Sequence, residues 1–289
     1  MKQLGKVVLN LGPSEGNPRN SEGAFIDLDD GSILFVYSTF LGTSHDDHAH
    51  ACLAAKKSDD RGITWSDSEI LVTAKEHEAL NVMSVTLLRM GNGDVGLFYL
   101  IRKGWHDTRL HLRRSADEGT TWSEDVCCIP ALGYYVTNND RVVRLSSGRL
   151  IIPTAFHKIA STSLKDWSGF ETRGVQHFFL SDDDGATWRE SKQAIWLDEP
   201  RSRTGLQEPG VIERADGVLW SWSRTDRGFQ YESFSYDGGE SWTKPQSSIF
   251  TSPASPLSMK RIPETNELLA VWNPIPNYQT RQIVPMQAN

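Results

Sequence analysis

Short apolar runs come in pairs along this chain, each pair split by a tight polar turn. Residues 24–28 lead through Asp30-Gly31 into 32–37, and residues 85–88 lead through Asn92-Gly93 into 95–99. Residues 141–145 pass through Ser147-Gly148 into 150–152, and residues 210–212 pass through Asp216-Gly217 into 218–220. A looser fifth pair spans 259–262 and 268–272, with Thr265-Asn266 between. Asp-Gly or Asn-Gly between β-rich runs is a strong hairpin signal, so five hairpins are predicted. No long stretch has helical periodicity.

A second pattern interleaves with the first. Ser-x-Asp-x-Gly-x-Thr/Ser-Trp begins at Ser58, Ser115, Ser181 and Ser235, with starts 57, 66 and 54 residues apart. Four near-regular copies make an internal repeat. Its chemistry is that of a turn: Asp accepts from nearby backbone N–H groups, Gly supplies φ > 0, and the hydroxyls close the turn. The Trp then buries a large ring at the start of the next strand. Asp60, Asp117, Asp183 and Asp237 are therefore expected to lock hairpins rather than to catalyse. An inner hairpin followed by an outer one gives four strands per unit, which is a propeller blade.

Composition narrows the reading. The 289 residues include 10 Trp and 23 Gly, which suits one all-β domain covering 1–289. A net charge of −7 does not suggest nucleic acid, and no run is long enough to cross a membrane. The start has no signal-peptide core, which makes cytoplasmic the expected location. Cys52, Cys127 and Cys128 look like reduced thiols rather than a disulfide framework. No cofactor or metal is expected.

The repeat also locates a candidate site. In a propeller the starts of the innermost strands line the central pocket. Nine residues before each inner-turn glycine stand Glu22, Ser84, Asn139 and Glu208, with Asn81, Asn138, Asp140 and Gln207 nearby. Such a polar ring on an apolar scaffold suits a sugar, whose hydroxyls need many partners. Strand-end polar caps are the plainer alternative.

The repeated octapeptide, on hairpins of a blade, resembles that of the sialidase (neuraminidase) superfamily, whose six-bladed propellers carry these Asp-boxes. The resemblance runs from about Arg19 to Asn273. It implies an all-β, six-bladed, sialidase-like β-propeller, of which this chain holds about five blades. It also implies an exo-acting glycoside hydrolase that releases a terminal acidic sugar. The segment from Gln207 to Gly217 is similar to the one that carries the family's catalytic glutamate, which makes Glu208 the base beside a tyrosine nucleophile. Arg224 and Arg19 stand near the places of carboxylate-binding arginines, whose planar forks match a carboxylate. Arg261 is a weaker third. The loop after the first inner hairpin, Thr43 to His50, offers Asp46 or Asp47 as acid/base, with His48 to tune it. A solvated loop and a metal site are the other readings of that cluster.

The family's tyrosine has no obvious counterpart. Tyr278 lacks a strand pattern, and Tyr134-Tyr135 belong to another blade. Either a further segment completes the enzyme or the chemistry differs. Two alternatives follow: an enzyme acting on uronic-acid glycans, and a non-catalytic propeller that binds a glycan or a protein. Arg19, Glu22, His48, Asn139, Arg141, His157 and Glu208 would suit any acidic sugar. An open propeller edge would permit oligomers.

Overall fold

The computed structural model describes residues 6–161, 166 and 168–275. They fall into two compact units, Met1–Gly104 with Leu110–Cys127, and Trp105–Arg109 with Cys128–Asn289. The structure is almost wholly β, apart from one 3₁₀ turn at Lys75–His77.

In the first unit, β1 (Arg19–Asp27), β2 (Ile33–Phe40), β3 (Ala51–Ser58) and β4 (Glu69–Val72) make a four-stranded antiparallel sheet in sequence order. A second series follows: β5 (Asn81–Arg89), β6 (Val95–Gly104), β7 (Asp107–Ser115) and β8 (Val126–Cys127). Val36, Leu53, Val85, Leu97 and Tyr99 form the centre of this unit's core.

The second unit holds β9 (Gly133–Val136), β10 (Val143–Arg144), β11 (Leu150–His157), β12 (Val175–Ser181) and β13 (Arg189–Glu190). Next come β14 (Gln207–Glu213), β15 (Leu219–Arg224), β16 (Phe229–Ser235) and β17 (Gln246–Thr251), again in sequence order. The hairpin of β18 (Ser258–Arg261) and β19 (Leu268–Val271) is the loose fifth pair. All five predicted hairpins are present, and their strands run further toward the polar ends than the apolar pattern suggested.

The four inner turns share one geometry. Gly31, Gly93, Gly148 and Gly217 donate to the carbonyls of Leu28, Met90, Leu145 and Arg214 at 2.9–3.1 Å. Their φ values are 82, 97, 91 and 79°, and an added Cβ would meet nothing within 4 Å. Backbone handedness rather than space therefore selects glycine here.

Three of the inner strands also contain a left-handed residue that is not glycine: Glu22 (φ 54°), Ser84 (φ 61°) and Glu208 (φ 49°). At each one the pairing slips by one residue, between Ser21 and Ala24, Met83 and Thr86, and Gln207 and Gly210. These are β-bulges, which bend the strand and re-aim a side chain. The nine-residue phase seen in the sequence is the position of this bulge.

The third inner strand departs from the rule. It is broken into β9 and β10, which pair with opposite ends of β11. Val136 faces Ala155 and Val143 faces Ile151, so seven steps on one side match four on the other. The left-handed residue is Asp140 (φ 58°), one place after Asn139. Counting nine back from Gly148 thus misses the equivalent position by one residue, because the bulge there is longer.

All four Asp-boxes sit in the outer turn between the third and fourth strands of their sheets. The Ser58, Ser115, Ser181 and Ser235 hydroxyls accept from the glycine N–H four residues on at 2.7–2.9 Å and donate to the Asp carboxylate at 2.8–3.0 Å. That carboxylate also accepts from the backbone and hydroxyl of Thr64, Thr121, Thr187 or Ser241. In the first sheet Ser58 pairs with Ile33, whereas Arg19, Phe40 and Ala51 align at the other end.

The boxes also join neighbouring sheets inside each unit. Glu118 accepts two bonds from Arg89, at 2.5 and 3.0 Å, and one from the Asp29 N–H. In the second unit Trp242 stacks on Phe178 with centroids 4.1 Å apart, and Glu240 receives Arg149 and Arg189.

These hydrogen bonds hold the Asp117 and Asp183 carboxyls down to about 2. A lowered folded-state value means the stabilisation is complete above the ordinary carboxylate range and is lost as pH falls toward 2. Asp183→Asn should lower Tm at pH 7 by about 2–5 °C, with the gap to the parent closing between pH 4 and 2 in thermal melts.

Candidate functional site

The polar ends of the inner strands carry two clusters, one in each unit. In the first unit, the bulge at Glu22 turns its carboxylate to Ser84, whose hydroxyl donates to it at 2.7 Å. Two residues at the same phase on adjacent inner strands thus meet. Arg19 lies beside them, with Nη2 3.7 Å from Glu22 and the guanidinium 4.5 Å over the Phe40 ring. Its Nη1 donates to Asp47 at 2.5 Å and to the His45 carbonyl at 3.1 Å.

The loop 41–50 is held from below. Arg102 donates to the Asp47 carbonyl and to His48 Nδ1, both at 2.7 Å, and Asn81 donates to the Asp47 and Ala49 carbonyls. Accepting from Arg102 requires His48 to be neutral at Nδ1. Its pKa is correspondingly lowered, by burial first and then by Arg102, with Asp47 and Asp46 opposing. Asp46 faces the Ser44 hydroxyl at 3.1 Å. The loop's histidines and aspartates turn to separate partners, and among the described residues no group of three or more His, Cys, Asp or Glu could hold a metal.

In the second unit, Glu208 on its bulge pairs with Arg224 at 2.9 Å. Arg224 also donates to Gln207, its cross-strand partner, at 3.0 Å. Gln207 in turn donates to the Thr172 carbonyl. Asp226 and Glu232, the acidic residues near Arg224 in the chain, are committed elsewhere: Asp226 to Ser202, Arg203 and Thr204, and Glu232 to Trp220 and Gln246. The second carboxylate oxygen of Glu208, Oε2, is buried with no hydrogen-bond partner.

Arg141 corrects an expectation. It is buried and donates to the Leu257 carbonyl at 2.7 Å, with its guanidinium 5.9 Å from the Trp222 ring. Burial works against its charge, and Glu208 and Asp140 offset that. Arg141 is therefore a cation behind Glu208 rather than a surface group for substrate. Room for this arrangement comes from Gly210, where a Cβ would lie 2.3 Å from the Trp222 ring. Asp140, one residue from the expected Asn139, receives Lys260 at 2.6 Å.

His157 is buried too, with Nδ1 3.0 Å from the Glu171 carbonyl and its ring stacked on Phe170. Burial lowers its pKa, and nearby Arg224 adds to this. Tyr134 packs against Trp105 and Phe170, whereas Tyr135, its neighbour on β9, faces Phe156 and Phe179. Tyr278 lies outside the described residues. Arg261 binds the Glu213 and Asn266 carbonyls at the turn end of its hairpin, away from the polar strand ends. Arg102 was missed in the sequence because it lies beyond the second apolar run of its inner hairpin, with no repeat to mark it.

Comparisons with known proteins bear on the family and the fold. The model of the BNR repeat-like domain matches residues 19–284. A sialidase of Bacteroides fragilis is 27% identical over 256 residues, covering 78% of this chain and 43% of that protein. The chain spans about half the length of the curated relatives it matches. Among solved structures, a Dyadobacter fermentans protein of unknown function has a TM-score of 0.69 at 20% identity, covering 89% of this chain and 76% of the other. The intramolecular trans-sialidase of Ruminococcus gnavus, solved with oseltamivir carboxylate, has a TM-score of 0.65 at 15% identity over 91% of this chain and 79% of its own. The fold is that of a sialidase-like β-propeller, and the four-stranded sheets are its blades.

Removing the clamp under the loop should be visible directly. Arg102→Gln should speed amide exchange of residues 41–50 by about tenfold or more, since two charged hydrogen bonds are lost. Exchange in β14 and β15 should be unchanged.

Proposed function

Because the chain belongs to the BNR repeat-like domain family, we propose that it works as a sialidase-type glycoside hydrolase that releases a terminal acidic sugar. The observation that carries this reading is the Glu208–Arg224 pair. A carboxylate is aimed by a bulge, backed by the buried Arg141, and set 2.9 Å from a guanidinium that can also grip an anionic substrate. Sialidase-named relatives support the class.

In this reading Arg224, the partner of Glu208, binds the sugar carboxylate, which is attached to the anomeric carbon. Asp47 is the counterion of Arg19 in the free protein. Glu208 takes a proton from a water whose oxygen bonds to the anomeric carbon as the glycosidic C–O bond breaks, and the proton that the leaving oxygen needs is assigned to Asp47, the acid/base that the family resemblance implies. Asp46, turned to Ser44, is the second choice for this role. Glu208 is the base of the bond-making step. His157, near enough to Arg224 for that charge to oppose its protonation, is a further candidate for substrate binding, and Glu22, bound by Ser84, steadies Arg19.

Kinetics on sialosides and on uronic-acid glycosides test the reading. Glu208→Gln should lower kcat by roughly 10²–10⁴-fold. Arg224→Ala should mainly raise KM, with a smaller fall in kcat because Glu208 loses its partner. The two effects should not multiply in the double variant, since the side chains touch. Asp47→Asn should cut kcat more than Asp46→Asn. Unchanged turnover in Glu208→Gln would remove the catalytic assignment, and binding of an acidic sugar without cleavage would make the protein a glycan-binding propeller.

A further inference from the structure

Trp196 stands out on the second unit. It lies between Ile195 and Leu197, both almost fully buried, yet is itself 64% exposed. The segment that presents it is firmly held. Ile195 exchanges two backbone hydrogen bonds with Gln176 of β12, and Arg173 donates to the Leu197 carbonyl at 2.8 Å. The indole is thus fixed in place by its neighbours.

A concave space opens on each side of the ring. One, of about 450 Å³, is bordered by Gln193, Asp198, Tyr231, Lys244 and Pro245, and the other, of about 290 Å³, runs toward Lys158 and Glu171. Sites for small ligands span roughly 300–1,000 Å³. Neither Glu208 nor Arg224 lines either space. Trp196 is the one strongly exposed large apolar side chain among the residues lining them. Around it, buried or partly buried apolar residues such as Ile195, Leu197 and Phe156 alternate with charged ones such as Asp198, Lys244 and Glu171. A protein partner would require a broad apolar patch. One flat ring shared by two small hollows of mixed polar and apolar lining instead matches a sugar, which offers a C–H face for stacking and hydroxyls around its edge. Opposite charges at Asp198 and Lys244 do not favour an ionised sugar over a neutral one.

We propose that Trp196 and the hollows beside it form a second saccharide site, which takes neutral hexose units of a glycan by stacking on the indole. This site does not depend on Glu208 or on any turnover. It would hold a glycan to the protein while its end is processed elsewhere.

The test is saturation-transfer NMR on the purified full chain, with lactose and cellobiose as neutral probes. Measurements compare the parent, Trp196→Ala, Lys244→Ala and Glu208→Gln, with thermal melts to confirm folding. At least one probe should receive saturation in the parent, and Trp196→Ala should raise its dissociation constant at least tenfold. Lys244→Ala should raise it about two- to fivefold, and Glu208→Gln should leave it unchanged. The proposal is overturned if neither sugar binds the parent, or if Trp196→Ala binds as the parent does. It is equally overturned if sedimentation shows self-association that depends on Trp196, which would make the groove a protein interface. Because neutral probes are not cleaved, a failure of the hydrolase reading would show in the kinetics and leave this result intact.

Discussion

A left-handed residue in or beside four of the five inner strands is the constraint on which the candidate chemistry depends. For residues other than glycine such a conformation costs about 1–3 kcal/mol and persists only where the surroundings enforce it. Here it recurs at Glu22, Ser84, Asp140 and Glu208. An unbroken strand would send alternate side chains to opposite faces. The bulge interrupts that alternation once and aims a polar side chain at a neighbour: Glu22 meets Ser84, Asp140 meets Lys260, and Glu208 meets Arg224. The strain and the polar clusters are thus products of one backbone feature.

That feature requires rigid support, which comes from the other end of the blades. The Asp-box turns carry their own carboxylate networks and reach across to the next sheet within each unit. Glu118 holds Arg89, Glu240 holds Arg149 and Arg189, and Trp242 lies on Phe178. Exposed ion pairs alone contribute little. These pairs instead fix the edges of stacked aromatic and aliphatic contacts, where most of the burial occurs. The repeat is therefore structural, and the candidate site residues stand at the opposite strand ends, where the sequence varies from blade to blade.

Charge is handled differently in the two clusters. Arg19 is partly open and balanced by a mobile type of partner, the carboxylate of loop residue Asp47. Arg141 is closed off beneath Trp222, and removing one partner of such a buried ion costs far more than an exposed pair contributes. An exchangeable cation and a fixed one suit different tasks, the first binding an anion that comes and goes, the second holding Glu208 in place.

The sequence by itself determined the repeat, the hairpins and their turn chemistry, because these rest on local rules: glycine where φ is positive, Asp and hydroxyls where N–H groups need partners, and paired apolar runs. It also marked Glu22, Ser84 and Glu208, since a bulge repeated at constant phase leaves a trace in the spacing. It placed Asn139 where Asp140 stands, because the longer bulge in the third blade changes register without changing composition. Only the tertiary structure decided which partner each charge takes. Arg224 chose Glu208 over Asp226 and Glu232, Arg141 went inward to Leu257 and Trp222, and Arg102 came under the 41–50 loop. Such choices depend on distances between strands far apart in the chain, which no local pattern encodes.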